Sequence, residues 1–272
     1  EARGYDEVPG YWEEAIGTLD ALPGDGRVLV LPATTRTQYR WGWVGDDIFD
    51  AMLRRDHAVD TAIPLSTPVA ADLLSALTTA ASDESYVPGT LAPILRRLGI
   101  DRVVIRNDVD WRQSRTVRPA AFDRLRTDPD LDLLGAFGGT GEHTTAEEDE
   151  APEADRERLL RPVEVYELVE PGPTGPRSVA ADRGWVTVSG NGSAWPQLAR
   201  SGALDGTGPV RYSGQVADDD LPDVLAGSAE VVVSDTNRRT VEVVSGFNLD
   251  ASWTLAAGQD LDRSAQDLFR TD

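Results

Sequence analysis

The chain has 272 residues, 40% apolar and 27% charged, a balance that fits one large or two small folded domains and excludes intrinsic disorder. A formal net charge of −21 sets it against phosphate backbones and anionic lipid head groups, so nucleic acid is not an expected partner. The absence of Cys rules out disulfides, thiolate nucleophiles and Cys-based metal sites, and the absence of Lys rules out a Walker-type phosphate loop.

Along the chain, residues 8–21 place Trp12, Ala15, Ile16 and Leu19 at helical spacing, and Pro23-Gly24-Asp25-Gly26 ends that helix. Residues 27–32 form a short apolar run between turn residues and read as a buried, parallel strand. A polar, aromatic loop follows. Helices are expected at 67–81 and 90–98, the second closed by Gly99, and 101–108 reads as a second buried strand with charged residues at its end. A short helix at 119–127 precedes two strands, 131–137 and 163–169.

Between those two strands, residues 139–158 are Gly-rich and then strongly acidic, and read as a mobile hairpin loop. The Pro/Gly-rich stretch 171–176 marks the expected domain boundary. Beyond it the pattern restarts with strands at 185–189, 210–213 and 230–234, helices at 195–203 and 219–226, then antiparallel additions and a frayed tail from Gln259. The fold class expected is α/β: a mostly parallel three-layer domain over 1–170, then a second, smaller α/β domain over 171–272 with a few added antiparallel strands. No apolar run reaches the ~20 residues that span a bilayer. The chain opens on Glu1 and not on Met, and so reads as a segment of a longer protein.

Candidate chemistry is sparse. His57 and His143 are the only histidines, and neither zinc ligation nor a Ser-His-Asp triad can be assembled around them, so no metal or cofactor is expected. The acidic run from Glu147 lacks the order of a calcium loop and is interrupted by Pro152. The aromatic loop carries Tyr39, Trp41 and Trp43 with Asp46 and Asp47 behind them, and Arg106, Asn107 and Asp108 close the second strand at the same sheet edge. Flat aromatic faces flanked by carboxylates and Arg suit the C–H faces of sugar rings, which makes these eight residues the candidate saccharide-binding set. The alternative is that the indoles are core or interface anchors and the charged residues tie down a loop.

The segments VPGYWEEAIGTLDA, GRVLVLPA, QYRWGW and LAPILRRLGIDRVVIRNDVDW, with VEVYELV, WVTVSG and VVVSDTNRRTVEVV after them, resemble in their order the actinobacterial α-(1→3)-arabinofuranosyltransferases of the GT-C class. The resemblance covers roughly residues 5–255, with an Ile63-Pro64 turn inside it. It implies an extracytoplasmic location at the plasma membrane, a cell-wall polysaccharide acceptor, and a membrane-embedded part of the same chain as partner. In that class the catalytic carboxylate sits in a loop near the membrane helices and the donor is lipid-linked. No position here matches that loop, so the segment is expected to be an accessory or acceptor-binding region. Two other readings stand beside it: a structural or protein-interaction domain, and an independent hydrolase, which needs two carboxylates ~5 to 10 Å apart in one cleft.

Overall fold

The computed structural model describes residues 7–43, 47–60, 68–172, 184–204, 209–234, 236, 239–241 and 251–253. Helix α1 (Gly10–Ala21) buries Tyr11, Trp12, Ala15, Ile16 and Leu19 as one stripe, the face its three- and four-residue spacing dictates. Strand β1 (Arg27–Leu31) is buried at every residue but Arg27. Two short elements escape periodicity: helix α2 (Ile48–Met52) and the two-residue strand β2 (His57–Ala58). Helices α3 (Pro68–Ser82) and α4 (Ala92–Leu98) come next. Gly99 stops α4 in the left-handed conformation (φ 68°), where the missing Cβ removes the strain, and its N–H donates back to Arg96. Strand β3 (Ile100–Arg106) follows directly and is buried throughout.

Strands β4 (Leu131–Phe137) and β5 (Val163–Leu168) complete a sheet of order β2-β1-β3-β5-β4. β1 runs parallel to β2 and β3, while β5 is antiparallel to both β3 and β4, so four of the five strands point the same way. That is the mostly parallel sheet expected, with β1 and β3 inside it. Alternation along the strands feeds two cores. Val28, Val30, Val104, Val163 and Val165 pack under α1 and α2, whereas Leu29, Leu31, Val103 and Ile105 pack under α3 and α4. The result is three layers.

A smaller parallel sheet, β7-β6-β8, is built from β6 (Val186–Ser189), β7 (Val210–Tyr212) and β8 (Glu230–Val233), with helices α6 (Trp195–Arg200) and α7 (Leu221–Ala226). Its core is continuous with the first: Val186, Val188, Ala194 and Leu198 join the cluster that holds Leu77, Ile94 and Leu95. β9 (Arg239–Val241) and β10 (Ala251–Trp253) pair antiparallel, the strand addition expected of the C-terminal stretch. Residues 173–176 of the expected boundary, the Ile63-Pro64 turn and the tail from Gln259 lie outside the described residues.

The stretch 139–158 does connect two paired antiparallel strands, but it is not a free loop. Pro152 sits at the first turn of helix α5 (Pro152–Glu157), a position that needs no N–H donor, so it starts a helix instead of breaking one. Glu157 and Thr144 are fully buried and Asp149 nearly so. The correction has a specific cause. Arg118 reaches Glu157 through Nε (2.7 Å to Oε1) and a terminal nitrogen (2.9 Å to Oε2), and Ala120 N–H adds a third bond at 3.2 Å. Composition counts these acids as solvated charges, while the fold pairs them.

Candidate functional site

The C-terminal ends of β1 and β3 bring the two candidate groups together. Backbone bonds lock them: Arg40 N–H donates to Asp108 C=O (2.9 Å), Asp110 N–H to Gln38 C=O (2.8 Å), and Tyr39 bridges Val109. Asp108 is the hub. One oxygen, Oδ2, accepts from Tyr11 Oη (2.9 Å), Trp12 Nε1 (2.9 Å) and Trp41 Nε1 (2.8 Å). Its Oδ1 is buried and accepts no hydrogen bond among the described residues. Burial drives the Asp108 pKa up to about 6, against the pull of the three donors.

Arg106, also fully buried, donates to Asp47 Oδ2 (2.7 Å), Tyr39 Oη (3.1 Å), Thr37 Oγ1 (3.3 Å) and Pro32 C=O (2.6 Å). Burial works against its charge, but Asp47 and Tyr39 together outweigh that, so the guanidinium's pKa stands above its ordinary value. Asp47 also caps α2, accepting from Phe49 N–H at 3.1 Å. Asn107 turns away from the aromatic loop: its amide donates to Arg161 C=O and Glu164 and accepts from Arg126. Tyr39 is buried, with Trp41 stacked on it at 4.8 Å and 18° and Trp12 edge-on at 5.6 Å.

Five of the eight candidates, Tyr39, Trp41, Asp47, Arg106 and Asp108, therefore meet, as a buried polar and aromatic network and not as an open cleft. Trp41 is half-buried at its rim, and Trp43 is 38% exposed just beyond. Asp46 lies outside the described residues. Tyr11 and Trp12 were missed as partners of Asp108. The available signal was that a buried indole N–H and phenol must find an acceptor. Among the described residues no group of three or more His, Asp or Glu side chains is arranged to hold a metal ion, and no helix is long and apolar enough to cross a membrane.

Comparison with known proteins places the chain. A family model described as alpha-(1->3)-arabinofuranosyltransferase, N-terminal GT-C domain, matches residues 1–268. The chain belongs to this arabinofuranosyltransferase family. Named alpha-(1->3)-arabinofuranosyltransferases of Mycobacterium tuberculosis and Mycolicibacterium smegmatis are each 29% identical to it, over 218 and 215 residues, or 76% of the chain. The chain spans 15% of the length of these relatives. Cryo-electron microscopy structures of arabinofuranosyltransferase AftD from mycobacteria share its fold. One matches 89% of the chain and 18% of its own at TM-score 0.66 and 24% identity, and a point-mutant form matches 89% and 19% at 0.66 and 25%. The family is the one that the order of GRVLVLPA, QYRWGW and VVIRNDVDW points to.

Proposed function

We propose that this region of the arabinofuranosyltransferase lies on the extracytoplasmic face of the plasma membrane and holds arabinan acceptor chains of the cell wall. Transfer itself is carried out by a membrane-embedded part of the same protein. The observation that carries the reading is the aromatic rim: Trp41 is pinned by Asp108 and stacked on buried Tyr39, and Trp43 stands exposed beside it. A rigid aromatic surface of this kind loses little conformational entropy on meeting a sugar ring, whose C–H face it covers. A surface of net charge −21 suits a neutral polyol better than an anionic partner.

With few buried hydrogen bonds on offer, dissociation constants of about 1 mM are expected. Titration of arabinofuranosyl oligosaccharides should show binding that Trp43→Ala weakens severalfold, while the chain alone transfers no sugar from a lipid-linked donor. A second reading, structural support for the membrane part, is favoured by the burial of Tyr39, Arg106, Asn107 and Asp108. Saccharide binding indifferent to Trp41 and Trp43 would move the conclusion to that reading.

A further inference from the structure

A separate cavity of about 260 Å³ lies between α3 and α6, under the loop that leaves α3. Ala76, Ala80 and Pro196 form its apolar floor, and Ser75, Asp83, Ser193 and Arg200 stand on its walls. The Ser75 and Ser193 hydroxyls and the Arg200 guanidinium form no hydrogen bond or ion pair with a described residue, although each belongs to a residue facing the same space. Asp83 uses one oxygen, Oδ1, on Ser85, and its Oδ2 accepts no hydrogen bond among the described residues. The Tyr86 hydroxyl is occupied by Asp128, so its ring serves as wall.

We infer that this cavity is a second saccharide subsite, taking one or two rings of a neutral furanosyl chain. The inference rests on the acceptor-holding reading above and places a further contact away from the aromatic rim. The chemistry selects the ligand class. The lining holds one guanidinium, Arg200, and one carboxylate, Asp83, so it offers a phosphate no net positive charge, and the Ser85 hydroxyl and N–H hold Asp83 below the usual carboxylate range. A guanidinium, a carboxylate and two hydroxyls over an apolar floor match instead the alternating hydroxyls and C–H face of a sugar. The volume falls just under the ~300 Å³ at which drug-sized pockets begin, the scale of a small oligosaccharide end.

The test is a resonance-by-resonance titration of the isotope-labelled chain with arabinofuranosyl oligosaccharides, with inorganic phosphate as a second arm. The Ala76 and Ala80 methyls and the Ser193 and Arg200 amides should shift with sugar and not with phosphate. Arg200→Ala, at the exposed end of α6, should weaken that response about tenfold and leave the Trp43 indole response unchanged. The wild-type map decides the matter even if the variant folds poorly. Shifts confined to the Trp41 and Trp43 indoles would overturn the subsite and leave the acceptor-holding reading standing. Shifts with phosphate in place of sugar would overturn the ligand class, and no shift anywhere would overturn both readings.

Discussion

Asp108 is an unusual place to put a carboxylate: fully buried, one oxygen accepting three bonds, the other none. Because burial raises its folded pKa to about 6, the native state takes up a proton more readily than the unfolded chain between the unfolded value and pH 6. The sign follows. Asp108 favours folding most at low pH, and that contribution is lost as pH rises through 6. Asp108→Asn, which cannot titrate, removes the dependence. The stability difference between wild type and variant should therefore shift by about 2 kcal/mol toward wild type between pH 7 and pH 4.5, read from urea unfolding at the two pH values. A difference that stays constant would mean that the carboxylate is solvated. Sequence placed Asp108, Arg106 and the aromatic loop at one sheet edge correctly, because strand ends and the loops after them are set by local pattern. It did not show that the groups point inward. That depends on α1 packing across the sheet and presenting Tyr11 and Trp12 to Asp108, a contact 96 residues away in the chain for Trp12.

At the scale of elements, long apolar runs and glycine stops were legible, and short or ion-paired segments were not. β1, β3, α3 and α4 each carry enough periodic or continuous apolar residues to be read locally, and Gly99 marks the end of α4. α2 spans five residues and β2 two, too short for a period to show. Asp47, read as a sugar ligand, is the cap of α2 and the counter-charge of Arg106. The segment containing α5 makes the same point about charge. Its acids look solvated until Arg118 is known to lie beneath them, held by Glu157, Glu153 and Asp149. Glu157→Ala leaves the half-buried guanidinium and the Ala120 N–H without this partner, and should destabilise the chain by about 2–4 kcal/mol in chemical denaturation. A loss under about 0.5 kcal/mol would restore the picture of a dispensable loop.

For the whole molecule, the continuous cluster from Leu29 through Leu77 and Ile94 to Leu198 and Val188 ties the two sheets through α3, α4 and α6. The two sheets should therefore unfold in one transition, and Leu198→Ala, which opens a cavity costing about 3 kcal/mol, should lower the midpoint seen by probes on either sheet equally. Two separated transitions would show two independent domains. The aromatic rim rests on the other core, under α1 and α2, where Tyr39 is buried and Trp41 packs, and the acceptor-holding reading depends on that rim. The seven tryptophans provide a direct test, since each contributes one indole N–H signal. In a titration with arabinofuranosyl oligosaccharides, the Trp43 and Trp41 indoles should shift first and reach half-saturation near ~1 mM, while buried Trp12 and Trp185, next to β6, stay still. Shifts at Trp185 with none at Trp43 would contradict the account.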